Sequence, residues 1–275
     1  MGQAKIAVIG GSGFYKLLEN PQFERRETPY GAPSAKIALG KIGKQEVAFL
    51  PRHGYEHELN PRMVPYKANL WALKSLGVER VIALTACGSL QKKIKRGDFV
   101  VVDQFVDRTR YRDDTYFSGP ITTHVSTAYP YCPEISRLAF SVGKELSSQK
   151  DWPFSGNIRI HPKGTLVVIE GPRFSTRAES EWFTKMGWDI VNMTGYPEVT
   201  LARELELCYC AIALVTDYDV GIVAREKLAP VKTEEVLKVF KDNNEKAQKL
   251  VIEIIKRIPE KRKCQCGKAL TGARI

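Results

Sequence analysis

Asp217 and Asp219 stand two residues apart, directly behind the apolar run 207–215. A carboxyl group enclosed at the end of a buried strand has a raised pKa and can hand a proton to a leaving group. The same pair reads equally well as solvated carboxylates in a turn. Arg52 and His53 follow a second apolar run, 47–50. Arginine offers a planar fork of donors that matches phosphate oxygens, although a single arginine is more often half of a surface ion pair. Hydroxyls follow three further runs: Ser12 in Gly10-Gly11-Ser12-Gly13, Thr85 in Thr85-Ala86-Cys87-Gly88-Ser89, and Thr194 in Asn192-Met193-Thr194-Gly195. With Arg52 they would complete a cradle for an anion.

The glycine turn at 10–13 permits positive φ and lets backbone N–H groups approach an anion closely. It matches neither common phosphate motif. Lys16 stands where Gly-x-Gly-x-x-Gly needs its third glycine, and there is no Gly-Lys-Ser/Thr. By itself it is as consistent with a plain structural turn as with an anion site.

The elements that must hold these residues follow from pattern and punctuation. Residues 6–9 and 80–84 read as short buried strands, and 35–40 with 46–50 as a hairpin around Gly43. Helical spacing runs from 66 to 76 and stops at Gly77. A strand is predicted at 99–102 and a helix at 134–146. Strand 165–169 is followed by helix 177–186, strand 189–191, helix 198–206 and strand 207–215. A long amphipathic helix spans 233–258. Residues 107–131 are polar, aromatic and irregular, long enough for a loop that such a segment is functional or interfacial. Strands alternate with helices, which predicts a single α/β domain with a mostly parallel mixed sheet flanked by helices. Ligands bind such sheets at the carboxyl ends of the strands, where all the residues above fall.

The chain has 275 residues, with 43% hydrophobic and 27% charged. That suits one large soluble domain, read here as residues 1–258, with 259–275 as a basic tail carrying Cys264-Gln265-Cys266. No apolar run approaches the roughly 20 residues of a membrane span. The N-terminus enters a strand at once instead of reading as a secretory leader, so a cytoplasmic protein without membrane contact is expected. The net charge of +11 fits a small anionic substrate, a nucleic acid or merely a solvated surface. No aromatic-and-basic pattern of an RNA-binding sheet is present, so nucleic acid is not expected as a partner.

Taken together and in order, these segments resemble the methylthioadenosine/purine nucleoside phosphorylase family. Further segments carry the likeness: Asp103-Gln104-Phe105-Val106-Asp107-Arg108-Thr109, Glu170-Gly171-Pro172-Arg173-Phe174-Ser175 and Pro197-Glu198. The similarity runs from Ile6 to about Phe240. It implies a reaction in which phosphate displaces a purine from a ribose, with methylthioadenosine as the nucleoside. Ser12, Arg52, His53, Thr85, Ala86 and Thr194 would hold phosphate, and the Met193 backbone would meet the ribose. The purine would lie between Phe174 and the Cys87-Gly88 backbone. Asp217 and Asp219 would serve its edge, one protonating the leaving base and the other accepting its exocyclic amino hydrogens. Ser175, Thr233, His124, Val236 and Leu237 would set specificity, with His124 lent to a neighbouring subunit's 5′ pocket. The resemblance thus implies shared sites in a homo-oligomer, a trimer or hexamer, with no cofactor and no metal beyond the co-substrate phosphate.

Two other chemistries remain to be weighed. A 6-oxopurine phosphorylase would be better served by asparagine, which can donate to the oxo group. An NAD-binding oxidoreductase would need an acidic residue about 20 positions after the glycine turn, closing a strand. Glu24 and Glu27 are near, but neither closes an apolar strand.

Six cysteines exceed what the site needs: Cys87, Cys132, Cys208, Cys210, Cys264 and Cys266. Cys208 and Cys210 share a strand face, and a disulfide from Cys132 to one of them is expected, with Cys87 a free thiol. Cys264 and Cys266 are close enough to pair, though in a strained ring. They also form half of a zinc set, but the sequence has no Cys-x-x-Cys or His-x-x-x-His to complete it.

Overall fold

A computed structural model describes residues 4–10, 18–148, 159–225 and 233–274, with backbone alone at 19, 223–225 and 233–243. The core of the sheet is made by β1 (Ile6–Gly10), β4 (Gln45–Pro51), β5 (Arg80–Ser89) and β11 (Cys208–Tyr218). β1 runs parallel to β4 and β5, and β11 parallel to β5. All four are buried along most of their length. Burial on both faces is why these strands read as unbroken apolar runs.

The predicted hairpin is β3 (Ile37–Ile42) against β4. β2 (Glu19–Glu24) extends it antiparallel at the sheet's edge. On the far side of β5 lie β10 (Ile190–Asn192), β9 (Thr165–Ile169) and β7 (Gln104–Arg108), while β6 (Phe99–Val101) pairs β11 and carries β8 (Ile160–His161). Among the described residues the result is one eleven-stranded mixed sheet. β5 is its spine: its first part lies between β1 and β11, and its last residues pair β10 as well.

Successive residues of the central strands serve opposite faces, as a period of two requires. Ala7, Ile9, Ala48 and Leu50 pack with α1 (Tyr66–Ser75) and α4 (Gly195–Glu204). Ile6, Val8, Val47 and Phe49 pack with α2 (Pro133–Ser147) and α6 (Thr233–Arg257). A smaller cluster around Phe183 seats α3 (Arg177–Lys185) on β9 and β10. The short α5 (Val220–Arg225) follows β11 directly and packs on α3.

Residues between β7 and Cys132 form no regular element beyond an isolated bridge, as their composition predicted. The tail folds back onto the body. Arg80 Nη2 donates to the carbonyls of Pro259 and Glu260, and Arg262 Nη1 donates to Glu206 O. No helix among the described residues is long and apolar enough to cross a membrane.

Candidate active site

The carboxyl ends of β1, β4, β5, β10 and β11 meet on one side of the sheet. Gly10 pairs Pro51 in register, and Arg52 N–H donates to Gly10 O. That bond continues the ladder by one residue, the Gly54 N–H to Pro51 O turn then takes the chain out of β4, and the Arg52 side chain is buried. Its Nε and Nη2 donate to the two carboxylate oxygens of Glu198 at 2.7 and 2.8 Å, and Nη1 donates to Leu84 O at 2.8 Å. Tyr209 Oη donates to the same carboxylate at 2.7 Å. By donor count, one N–H on Nη1 and one on Nη2 remain for a ligand.

His53 stacks on His57 at 4.6 Å. Its Nδ1 lies 2.7 Å from Leu59 O, and since a carbonyl only accepts, that nitrogen carries the hydrogen. Burial, with the Arg52 charge second, pushes its pKa down to about 4, so near neutrality the ring is uncharged and Nε2 is an acceptor.

Thr85 on β5 and Thr194 at the start of α4 bring their hydroxyls to 3.4 Å. Asn192 sets this pair. Its Nδ2 donates to Thr85 Oγ1 at 3.0 Å, and its Oδ1 accepts the N–H groups of Thr194 and Gly195, both at 3.3 Å. With a lone pair of Thr85 occupied, the hydroxyl hydrogen is left to donate. Its internal acceptor, Ala86 O, is 3.2 Å away, long enough for an anion to compete.

The two carboxylates owe their placement to a bulge. In β11, Val215 pairs Cys87 but Asp217 pairs Gly88, so Thr216 is an extra residue. A bulge re-aims the side chains that follow it. Thr216 Oγ1 donates to Asp217 Oδ1 at 2.7 Å. Burial, reinforced by Asp219, outweighs that bond and pushes the Asp217 pKa up to about 6.

Asp219 is anchored by its N–H to Ser89 O. Burial raises its pKa, opposed by the hydroxyls of Ser180 and Ser175 and the Val220 N–H, and its Oδ2 has no hydrogen-bond partner. Ser180 belongs to α3, which starts in a capping box between Thr176 and Glu179. Gly221 N–H donates to Ser180 Oγ at 2.8 Å, and a Cβ at Gly221 would lie 2.7 Å from that oxygen, so α5 can approach only through a glycine.

Gly88 lies between the acids. A Cβ there would come within 3.3 Å of Asp217 Oδ2 and Val191 Cγ1 and 3.6 Å of the Asp219 Cβ. Met193 packs where Gly171, at φ +65°, passes so close that a Cβ would sit 2.6 Å from its sulfur. Phe174 is half exposed, and Cys87 is a buried thiol whose pKa is raised by burial.

The fold therefore gathers Arg52, His53, Thr85, Ala86, Cys87, Gly88, Met193, Thr194, Asp217 and Asp219 on adjoining strand ends, with Ser175 beside Asp219. Ser12 lies outside the described residues, as do the side chains of Thr233, Val236 and Leu237 in α6. His124 is exposed, and its N–H donates to Ala273 O at 2.7 Å in the tail. Glu198, Asn192, Thr216 and Ser180 received no individual role from the sequence: Glu198, Asn192 and Ser180 act through partners far along the chain, and Thr216 acts through a bulge that only the pairing of β11 with β5 creates. The expected bond from Cys132 to Cys208 or Cys210 is absent, and all six cysteines are free. Cys210 instead faces Ser136, while Cys132 shares its surroundings with three other thiols.

Comparison with known proteins agrees with this arrangement. The S-methyl-5′-thioadenosine phosphorylase of Pyrococcus horikoshii is 51% identical over 266 residues, 97% of this chain and 97% of that protein. The enzyme of the same name from Thermofilum pendens is 48% identical over 277 residues, 100% of both chains. A crystal structure of a methylthioadenosine phosphorylase from an Antarctic soil metagenomic library has a TM-score of 0.91 and 40% identity, covering 100% of this chain and 93% of that one. The model of the phosphorylase superfamily matches residues 5–256. Likeness on that scale, in the strands that carry the site as well as in the helices that cover them, makes this chain a member of the phosphorylase superfamily.

Proposed function

We propose that the protein catalyses the reversible phosphorolysis of 5′-methylthioadenosine to adenine and 5-methylthioribose 1-phosphate. One observation carries this reading: two buried carboxyl groups, both with pKa raised by burial, meet at Gly88, three residues along the same strand from the Thr85–Thr194 hydroxyl pair. Phosphate sits on those hydroxyls with Ser12, the Ala86 backbone and the free N–H groups of Arg52. Neutral His53 accepts from a protonated phosphate oxygen. The ribose lies against Met193 and the purine on the Cys87-Gly88 backbone under Phe174.

The bond from C1′ to the purine nitrogen breaks with its electron pair going to the base, while a phosphate oxygen bonds to C1′. Asp219 protonates the purine at N7, so the base leaves neutral. The bound anion stabilises the positive charge that develops on the ribose, and positioning supplies much of the rest. The nucleophile is phosphate and the proton comes from a carboxyl, so the step calls for no metal or organic cofactor.

Asp217 Oδ2 accepts from an exocyclic amino group, which favours a 6-aminopurine over a 6-oxopurine. Ser175, Thr233, Val236 and Leu237 complete the pocket. The enzyme works in the cytoplasm as a trimer or hexamer in which His124 reaches a neighbour's site. Tyr111, Ile121 and Tyr129, all exposed on the same irregular segment as His124, support such an interface. The deciding assay is release of free base from methylthioadenosine and from inosine, each with and without phosphate. Adenine release that requires phosphate and exceeds hypoxanthine release supports the reading; release without phosphate would overturn it.

A further inference from the structure

At the opposite end of β11 from the carboxylates lies a second cluster. Cys208 opens the strand and Asp217 is nine residues on, about 30 Å away at the usual rise per residue. The sulfurs of Cys132, Cys208, Cys264 and Cys266 all lie within 4.8 Å of one another. Cys208 Sγ and Cys264 Sγ are 3.3 Å apart. Three of the four residues are buried, Cys264 is half-buried, and none is bonded to another.

Three separate segments deliver these thiols. Cys132 is the N-cap of α2, its N–H donating to Tyr209 O. Cys208 is held by its N–H to Glu79 O. Cys264 is placed by Glu134, whose Oε2 accepts the N–H groups of Lys263 and Cys264 at 3.0 and 3.2 Å. A 3-10 turn, Cys266–Lys268, then folds Cys266 back toward Cys264. The missing half of the zinc set is thus supplied by tertiary structure.

The geometry points to a tetrahedral metal site in which Cys132, Cys208, Cys264 and Cys266 bind one thiophilic divalent cation of the zinc class. Tetrathiolate zinc has bonds of about 2.3 Å, so its sulfurs stand about 3.8 Å apart. The observed sulfur separations, 3.3 Å for Cys208 and Cys264 and no more than 4.8 Å for any pair, bracket that spacing. Its surroundings suit charged sulfur. Cys132 is the N-cap of α2, where the positive end of the helix favours a thiolate. The Arg262 guanidinium packs against Gly267, where a Cβ would lie 2.9 Å from Nη2. Gly267 follows Cys266 in the chain, so this guanidinium, which also pairs with Glu79 at 3.4 Å, helps hold the turn that carries Cys266.

All four positions are protein ligands, which leaves none open for a reactant, so the site is structural. It staples the tail to the start of β11 and α2. The same tail reaches the His124 segment through the bond to Ala273 and the bridge between Thr123 and Arg274.

The test is elemental analysis and native mass spectrometry of the full chain, grown with zinc and purified under reductant, followed by reconstitution with cobalt(II). We expect one zinc per chain and, with cobalt, the visible bands of tetrahedral thiolate coordination. Cys264→Ser, the most exposed of the four and the least disruptive to folding, should lower bound zinc at least tenfold. Cys210→Ser should leave it unchanged. Reduced, folded protein that takes up neither zinc nor cobalt would overturn the site. So would protein prepared without air that holds no metal and has the same four cysteines paired as two disulfides.

Discussion

Glu198 and Arg52, 146 positions apart in sequence, form a two-point ion pair whose side chains are 1% and 4% exposed. The acid holds one edge of the guanidinium and fixes where its remaining donors point. Such a pair sets geometry more than it adds stability, since burying both charges costs about what their attraction returns.

Removing one partner is another matter. Glu198→Ala leaves a buried guanidinium without its counter-charge, held only through Leu84 O, and the Tyr209 hydroxyl without its acceptor. It should cost about 3–5 kcal/mol, read as a lower Tm. In whatever folds, the KM for phosphate should rise. Glu198→Gln, which keeps an acceptor oxygen, should recover part of both. A Glu198→Ala protein with unchanged Tm and phosphate KM would show that the pair positions nothing.

Asp219→Asn keeps the shape of the site and removes the proton. Turnover of methylthioadenosine should fall by about 10²-fold or more, the usual cost of losing a general acid. Phosphate binding, followed by calorimetry, should be unaffected. Unchanged turnover removes Asp219 from the mechanism.

Asp217 makes a prediction about stability and pH. Its pKa is about 6 in the folded protein, against the ordinary 3.8. A raised carboxyl pKa means that the folded state holds a proton the unfolded chain has released. Stability therefore falls as pH rises from about 4 to about 6, by roughly 3 kcal/mol, and is level above that. Asp217→Asn, with Oδ1 still accepting from Thr216, should flatten this part of the profile and raise Tm at pH 7. Chemical denaturation across that range, in both proteins, measures it.

Gly88→Ala should separate folding from binding. Gly88 has no positive φ, and its added methyl would meet only side-chain atoms at 3.3 Å and beyond. The protein should fold with a Tm within a few degrees of the parent, while the methyl stands where the proposed function puts the purine. We expect the nucleoside KM to rise at least about tenfold with the phosphate KM little changed. Equal effects on both substrates would argue against a base site at this position.

Much of this was legible in the chain, and the exceptions share a cause. β1, β4, β5 and β11 announce themselves because both faces are buried, and their ends carry Arg52, Thr85 and Asp217. β2, with the sequence Glu-Asn-Pro-Gln-Phe-Glu, has almost no apolar signal. It is a strand because it pairs with β3. β7 was likewise hidden, its strand character coming from β9 alongside. Among the residues of the proposed site, those with reactive side chains stand out by type and position at the strand ends. Those that hold them do not: no local pattern tells that Glu198 faces Arg52, that Asn192 faces Thr85 or that Cys132 meets the tail. Their meaning lies in contacts more than 100 residues apart in sequence.

The spine strand also acts as a ruler. Thr85 and Gly88 both belong to β5, and at about 3.3 Å per residue their separation is close to 10 Å. That length is set by peptide geometry, not by mobile side chains, and it is about the span of one sugar ring between an anion and a flat base. Substitutions around the pocket can change which base or which 5′ group is accepted. Inserting or deleting a residue between 85 and 88 would change the calibration itself, and with it the class of molecule that can touch both ends at once.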